Sequence, residues 1–138
     1  MKRSPIRKIG KIGNINLDAR RKIATQCYEL EIEYCELNFP GCMHNFGVAP
    51  AHRHKRVFYI NKPGLLEDRS EWLVLDVRCH DMIECSKELT EIVFGITKDK
   101  DYIYDEQRAI EALEKHEHTR KNKDGILRVL RRLWESKE

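Results

Sequence analysis

Two clusters of cysteine, histidine and carboxylate residues between Cys35 and Glu84 limit what this chain can fold into more than any other feature. Cys35 and Cys42 flank a Pro-Gly pair, which is typical of a tight turn. Asp76 and Cys79 follow a short apolar run further along the chain. Thiolates are the usual ligands of a closed, four-coordinate zinc site. The fold is therefore expected to bring these two segments together.

The first cluster predicts a structural Zn²⁺ ion. Three of the expected ligands are thiolates, from Cys35, Cys42 and Cys79. The fourth is Asp76, which stands where a Cys-x-x-Cys pair ending at Cys79 would have its first cysteine. His44 and Cys85 are alternative fourth ligands. The competing interpretation is that the three cysteines are simply small residues buried in the core.

The second cluster has the composition of a catalytic centre. His80 and Glu84 are four residues apart, so their side chains are neighbours on a helix. An imidazole and a carboxylate that leave coordination positions open to water suit a catalytic divalent ion. Histidine ordinarily titrates near neutral pH, so His52, at the end of a predicted strand, can take a proton from water. Alternatively, His52 only contacts a phosphate and His80 only supports another ligand.

Four motifs occur within about residues 30–90. They are Cys-x6-Cys, Ala51-His-Arg-His-Lys-Arg56, Trp72-Leu-Val-Leu and Cys79-His-Asp-Met-Ile-Glu84. Together they resemble a small HNH endonuclease of the ββα-metal (His-Me finger) superfamily, and are most similar to the short, zinc-stapled versions common in bacteriophage genomes. The resemblance implies two strands and a helix around one catalytic ion, and DNA cleavage that is nonspecific or lightly specific.

The resemblance also implies roles for individual residues. His52 falls on the general base, and His80 and Glu84 fall on ligands of the catalytic ion, which is Mg²⁺, Mn²⁺, Ni²⁺ or Zn²⁺. His54 assists as a further ligand or contacts the phosphate. Many relatives have an Asp or His ligand before the base, usually an Asn at the middle position, and a cysteine before the last zinc ligand. The corresponding residues here are Ala51, Glu71 and Asp76.

Positive charge is concentrated near the N-terminus. Residues 1–22 carry eight Lys or Arg residues against one Asp, a net charge of +7 in a chain whose total is +3. The remainder of the chain therefore sums to −4. A basic segment on a weakly acidic body predicts a polyanionic partner, DNA first. The alternative is a solvated tail without a partner.

The residues expected to contact DNA belong to two basic segments. The N-terminal arm contributes Lys2, Arg3, Arg7, Lys8 and Lys11. The basic hexapeptide contributes Arg53, Lys55 and Arg56. The charges of the arm can reach phosphates but do not read bases, so the arm is expected to add affinity without sequence preference.

The chain is expected to be a cytoplasmic protein, in the host cytoplasm if a phage encodes it. No apolar run approaches the roughly 18 residues of a membrane span. The basic N-terminus lacks the apolar stretch of a secretory signal. Five cysteines, an odd number, suit metal binding in a reducing compartment better than a full set of disulfides.

Apolar periodicity predicts an α+β fold, in which an N-terminal helix and C-terminal helices flank the short-stranded ββα-metal core that the resemblance implies. A basic flexible arm (residues 1–15) precedes a single domain (16–138), whose core spans about 30–90 and whose C-terminal helical extension spans about 100–138. Helices are expected over residues 17–30, from Cys79 to Phe94, over Asp105–His116 and after an N-cap at Asp124. Extended segments are expected at Ile32–Leu37, Val48–His54, Val57–Ile60 and Trp72–Val77.

Three other functions use the same residues differently. The first is a noncatalytic, zinc-stapled module that binds nucleic acid or protein, since the thiols and the basic arm would serve it equally well. The second is a structure-specific nuclease that cuts junctions or flaps during phage recombination. The third is an RNA-directed enzyme, which ranks last because the basic segments lack interleaved aromatic residues to stack on bases.

Overall fold

The computed structural model describes residues 10–137 of the chain. This part contains seven α-helices and one two-stranded sheet, which confirms the predicted α+β class. The helices are α1 (Lys11–Glu29), α2 (Arg56–Tyr59), α3 (Val77–Glu84), α4 (Lys87–Lys98), α5 (Glu106–Glu114), α6 (Glu117–Arg120) and α7 (Lys123–Ser136). The strands are β1 (Ala49–His52) and β2 (Trp72–Leu75), and two short 3-10 helices precede β2, at Pro63–Glu67 and Arg69–Glu71.

The sheet is a single antiparallel pair in which His52 lies opposite Trp72. All four residues of β2 are buried, because its alternate side chains enter two different clusters. Leu73 and Leu75 belong to the main core. Trp72 and Val74 pack against α1 on the other face. The short sheet is therefore covered on both sides, and β2 is the strand predicted within Trp72–Val77.

The main core lies where α3, α4, α5 and α7 meet the sheet. The loop of residues 35–39 also buries three side chains in it, so the cysteine segment is part of the core and not an appendage. The apolar stripe predicted for α7 is confirmed. Its fully buried members are Ile126, Leu127, Val129 and Leu130, and its partly buried members are Leu133 and Trp134.

Side-chain caps fix where three of the helices begin. The Asp76 carboxylate accepts a hydrogen bond from the backbone N–H of Cys79 and starts α3. Ser86 caps α4 in the same way. Because Ser86 starts a new helix, the single helix expected from Cys79 to Phe94 is in fact two helices. Asp105 caps α5, which lies within the predicted helix.

The segment Ile32–Leu37 does not form the expected strand. Glu36 pairs with β2, donating its backbone N–H to the Val74 carbonyl at 2.8 Å. The Glu36 carboxylate also accepts the Val74 N–H at 2.6 Å. The Val74 N–H therefore bonds to the Glu36 side chain and not to a backbone carbonyl, as it would in a sheet. A third strand does not form beside β2.

The segment Val57–Ile60 is helical and not extended. Its β-branched and aromatic residues favour a strand, but Val57 and Ile60 are 71% and 52% exposed. The helix α2 turns Tyr59 inward, against Ala19 and Leu66. The predicted extended segment was wrong because Tyr59 alone is buried here, whereas a strand would bury every second side chain.

Helix α1 begins at Lys11, six residues before its expected start. Ile15 packs against a buried cluster, so tertiary contact extends the helix through Gly13 and Asn14, which favour a break. The predicted arm (residues 1–15) therefore overlaps α1, and its first nine residues lie outside the described residues. Although α1 is 19 residues long, no helix among the described residues is both long and apolar enough to cross a bilayer.

Helix α7 begins next to the cysteine loop. Asn122 occupies its N-cap position, so the predicted cap, Asp124, lies in the first turn, where a carboxylate still interacts favourably with the helix dipole. Gly125 in the same turn lies against Pro40, whose Cγ would be 2.4 Å from a Cβ at position 125. The absence of a side chain at this position lets α7 approach the turn that carries Cys42.

Replacing Gly125 with valine should lower the free energy of unfolding by about 1–3 kcal/mol, because the added carbons must displace the rigid Pro40 ring. The helix propensity of valine exceeds that of glycine by only a few tenths of a kcal/mol and offsets little of this. Urea denaturation measures the change. The control is Gly64→Val, since a Cβ there meets no heavy atom within 4 Å. Equal losses at the two positions would contradict the close-approach explanation.

Candidate functional site

Among the described residues, one group of potential metal ligands comprises Cys35, Cys42, Asp76 and Cys79. Their ligand atoms all lie within 4.8 Å of one another. Cys35, Asp76 and Cys79 are buried, and Cys42 is partly buried. The structure therefore brings together all four residues of the predicted first cluster, close enough to bind one metal ion.

The loop that carries Cys35 and Cys42 is held by its own backbone. The N–H of Cys42 donates to the Phe39 carbonyl at 2.9 Å, which closes the predicted Pro-Gly turn. Gly41 within this turn has a φ of 82°, a conformation that glycine adopts without strain. The N–H of Cys35 donates to the His44 carbonyl at 2.7 Å. These bonds fix the backbone at both cysteines.

Asp76 joins this loop to α3. One carboxylate oxygen accepts the N–H of Cys79 at 3.0 Å, and the other accepts the N–H of Met43 at 2.8 Å. Burial acts to raise the pKa of Asp76, but hydrogen bonds from Met43 and Cys79 outweigh it and hold that pKa below its ordinary value. The carboxylate thus has a structural task whether or not an ion binds, and each oxygen retains a lone pair for one.

The three thiols of the cluster are not equivalent. A hydrogen bond between Cys35 and Cys79 lowers the pKa of Cys35 to about 6 and raises that of Cys79 far above its ordinary value. Burial raises the pKa of Cys42 to about 11. The three sulfurs therefore differ in how readily they lose a proton. A cation bound to all three must displace the thiol protons, so its affinity should rise with pH.

The two alternative fourth ligands have other partners. His44 Nδ1 lies 3.1 Å from the Asn38 side-chain oxygen, and the Cys85 thiol donates to the Met82 carbonyl at 3.1 Å. Neither residue belongs to the cluster. Of the open alternatives, Asp76 is the one that the geometry favours.

A groove of about 1100 Å³ lies beside the sheet, bordered by α1, β1, α2, α3 and α4. Seven of the predicted site residues line it: His52, Arg53, His54, Lys55, Arg56, His80 and Glu84. Arg20 of α1 and Lys87 of α4 also line the groove and add positive charge, although neither was among the residues predicted to contact DNA. Cys79 is buried in the main core, whereas His80, the next residue, lines the groove. The first turn of α3 therefore connects the thiol cluster to the groove.

His52 has a defined tautomer. Its Nε2 lies 2.8 Å from the Leu66 carbonyl oxygen, which can only accept a hydrogen bond, so Nε2 carries the proton. Burial lowers the pKa of His52, so the ring is neutral at pH 7 and Nδ1 has a free lone pair. The edge of the Tyr59 ring packs against the imidazole, with centroids 5.4 Å apart. No sequence signal could have identified the Leu66 carbonyl as the partner.

His80 and Glu84 meet on one face of α3, as predicted, with Nδ1 and Oε2 3.5 Å apart. Asp81 joins them, and the ligand atoms of all three residues lie within 4.8 Å of one another. The three-residue spacing of Asp81 and Glu84 could have identified this extra donor. One imidazole and two carboxylates at a solvent-accessible site can hold a divalent ion that keeps its remaining water ligands.

Glu71 takes part in a buried network beside the groove. Its carboxylate accepts a hydrogen bond from the Tyr59 hydroxyl at 3.3 Å and lies 3.9 Å from Nε2 of His54. Tyr59 also accepts the backbone N–H of His54 at 3.1 Å. Burial raises the pKa of Tyr59 to about 12, so its hydroxyl remains a donor at neutral pH. Glu71 therefore contacts both His54 and Tyr59.

The basic residues predicted to contact DNA differ in exposure and in whether a carboxylate already pairs with them. The Arg53 guanidinium pairs with both carboxylate oxygens of Asp99, one at 2.8 Å, and its side chain is only 22% exposed. Lys55 and Arg56 are exposed at the rim of the groove. Lys11 is exposed at the start of α1, and the four other basic residues of the arm lie outside the described residues.

Comparison of the chain with family models, with curated proteins and with solved structures gave no match in any of the three. The HNH resemblance therefore stays a prediction. A proposal for the function therefore rests on the geometry of the groove and of the cysteine cluster.

Removal of Asp76 should separate its two tasks. Asp76→Ala should lower the free energy of unfolding of the chelated protein by about 2–3 kcal/mol, because it removes the N-cap of α3 and also the acceptor of the Met43 N–H. The loss should be larger with metal present, because a ligand bound to the native state adds stability that depends on its affinity. Thermal unfolding with and without a chelator, together with elemental analysis, measures both terms.

Asp105→Ala is the matched control, because Asp105 caps α5 outside the cysteine cluster. Its cost should be the same with and without metal. Cys42→Ser should lower the free energy of unfolding only when metal is bound, because Cys42 belongs to the cluster and caps no helix. A wild-type protein that contains substoichiometric metal and melts identically in chelator would rule out a structural ion at this cluster.

Proposed function

We propose that this protein is a metal-dependent endonuclease that hydrolyses phosphodiester bonds in DNA, with β1, β2 and α3 as an HNH-type ββα-metal core. The observation that carries the proposal is the state of His52. Its Nε2 proton is committed to the Leu66 carbonyl, so Nδ1 is available as a base at neutral pH. The same groove contains the His80–Glu84 pair and several exposed cations.

His52 is the general base in this mechanism. A water molecule between its Nδ1 and the scissile phosphate gives up a proton as its oxygen attacks phosphorus. The Leu66 carbonyl then stabilises the imidazolium, because the Nε2–H bond to it strengthens when the ring becomes charged. Packing of Tyr59 against the ring limits rotation of the imidazole. The base is therefore held in one orientation before substrate arrives.

His80, Glu84 and Asp81 are the residues that would hold the catalytic divalent ion. When bound, such an ion stabilises negative charge on the phosphate and on the leaving oxygen. His80 immediately follows Cys79, so any shift of the first turn of α3 would move the imidazole. This dependence gives the cysteine cluster a role in activity as well as in stability.

The cysteine cluster is proposed to hold a structural Zn²⁺ ion. Three sulfurs and one carboxylate oxygen form a soft, four-coordinate donor set, which zinc favours over magnesium or calcium. Burial of Cys35 and Cys79 suits a closed site without a position for substrate. The ion would fasten the loop of residues 35–44 to α3, the same two segments that Asp76 already joins.

DNA binding is proposed to rest on phosphate contacts. Four basic residues line the groove and can contact the phosphates of a duplex or a single strand: Arg20, Lys55, Arg56 and Lys87. Arg53 is a weaker candidate, because a phosphate would have to replace Asp99. Contacts of this kind fix position and do not read sequence.

A noncatalytic zinc-stapled module that binds nucleic acid or protein is the second candidate. Ala51 favours it, because this residue is buried in β1 opposite Leu73 and offers no donor where HNH nucleases place a ligand.

A structure-specific nuclease that cuts junctions or flaps is a variant of the catalytic proposal. Comparison of branched with linear DNA as substrates separates it from cleavage of a plain duplex.

His52→Ala should lower DNA cleavage by roughly 10²–10⁴, the range for loss of a general base, and leave DNA binding nearly unchanged. Plasmid cleavage in Mg²⁺, Mn²⁺, Ni²⁺ or Zn²⁺ measures the first effect, and fluorescence anisotropy with a labelled duplex measures the second. His118→Ala, at an exposed position on α6, is the control and should cleave like the wild type.

Wild-type turnover in His52→Ala would refute the assignment of the base, and a wild-type protein that binds DNA without cutting it would favour the noncatalytic module. His80→Ala should reduce both cleavage and occupancy by the catalytic ion. An unchanged metal content in this variant would remove His80 as a ligand.

Deletion of residues 1–9 should weaken DNA binding and its dependence on salt. The deletion removes four basic residues, Lys2, Arg3, Arg7 and Lys8, and spares α1. Each phosphate contact adds about 0.9 to the slope of log K against log salt, so the slope should flatten by up to about 3–4 units. A full-length variant with these four residues changed to glutamine is the control for chain length. If neither variant alters the slope, the arm does not contact DNA.

A further inference from the structure

We propose that His54 is a second catalytic residue, which donates a proton to the leaving oxygen of the scissile phosphodiester, and that Glu71 and Tyr59 position it. The inference rests on the proposed nuclease function and adds a general acid to it. His54 lines the groove together with His52, and its side chain is 42% exposed. It is therefore accessible to a substrate.

The two histidines lie at the end of β1 and line the same groove. β1 ends at His52, and the Arg53 N–H donates to the Glu71 carbonyl at 2.9 Å. Arg53 and His54 then form a bend. The rings of both histidines lie against the Tyr59 ring, with centroids 5.4 Å away for His52 and 6.2 Å away for His54.

Three neighbouring residues contact His54 through its ring or its backbone. Phe58 stacks on it, with ring centroids 4.0 Å apart. Tyr59 accepts its backbone N–H. The Glu71 carboxylate lies 3.9 Å from Nε2, too far for a direct hydrogen bond but within the range of an ion pair. An exposed histidine that only contacts phosphate does not require such support.

Glu71 is a buried carboxylate, 8% exposed, and burying a charge is costly unless it is paired. Tyr59 supplies one hydrogen bond, and Nε2 of the groove-lining His54 lies 3.9 Å from the carboxylate. Ionisable groups placed at this cost beside a cleft are more frequent at functional sites than elsewhere. The arrangement is consistent with a positioning role for Glu71.

The partners of the two histidines divide the work between them. A carbonyl holds one proton of His52 and leaves the other nitrogen bare, as a base requires. The neighbour of His54 is instead a carboxylate, with an oxygen of Glu71 3.9 Å from Nε2. Different environments for two titratable groups in one site are the usual basis of an acid and base pair.

The reaction balances with these two groups. The water oxygen forms a bond to phosphorus, and its proton passes to Nδ1 of His52. The bond from phosphorus to the bridging oxygen breaks, and that oxygen takes a proton from His54. The products are a phosphate monoester and an alcohol, and solvent returns the two histidines to their starting states.

Bridging sulfur substitution tests this step directly. A thiolate is a good leaving group that needs no proton, so a DNA linkage with sulfur at the bridging position should not need the acid. Oligonucleotide duplexes with one 3′-bridging or one 5′-bridging sulfur cover both directions of cleavage, and Mn²⁺ is used because it tolerates sulfur. His54→Ala should cleave the all-oxygen linkage about 10²-fold more slowly than the wild type. It should cleave the sulfur linkage at nearly the wild-type rate.

Glu71→Gln should show a smaller loss that sulfur also restores, whereas His52→Ala should remain slow on both linkages. His54→Gln is the second variant, in case His54→Ala disturbs the packing of Phe58. Equal defects of the His54 variants on oxygen and sulfur linkages would overturn the general-acid role in favour of a phosphate contact or a metal ligand. A wild-type protein that cuts neither linkage would instead refute the nuclease proposal itself.

Discussion

The buried carboxylate of Asp76 is the interaction on which the rest of the site depends. It binds the backbone of the cysteine loop at Met43 and the backbone of α3 at Cys79, so two segments distant in sequence share one acceptor. Its N-cap bond determines where α3 starts and hence where His80 lies. An uncompensated carboxylate at this depth would be costly, and the two N–H donors offset that cost. A metal ion at the same position would strengthen a connection that already exists.

The groove obtains its chemistry from backbone groups as much as from side chains. The Leu66 carbonyl sets the tautomer of His52, and the Glu71 carbonyl accepts the N–H of Arg53, which lies between the two histidines. These groups come from the segment between the strands, which is irregular apart from short helical turns. The sheet anchors this segment at both ends, and the burial of Tyr59 within it and of Trp72 at its end holds these groups in place.

Sequence reasoning located the metal-ligand cluster, β2, α5 and the apolar stripe of α7, because each depends on residue type and spacing alone. It was wrong at Ile32–Leu37, where the Glu36 side chain competes with the backbone for β2, and at Val57–Ile60, where one buried tyrosine outweighs exposed β-branched residues. Neither the Leu66 carbonyl nor the pairing of Arg53 with Asp99 leaves a local signal. Both are tertiary contacts between segments far apart in the chain, which no periodicity encodes.

The contact between Gly125 and Pro40 bears on how the protein is made. The cysteine loop and α7 share one buried core although β1, β2 and five helices come between them in the sequence. During synthesis the ribosome releases the loop, the sheet and the two histidines long before it releases α7. The nascent chain therefore exposes the surface that α7 will cover, and the core closes around the loop only after α7 emerges.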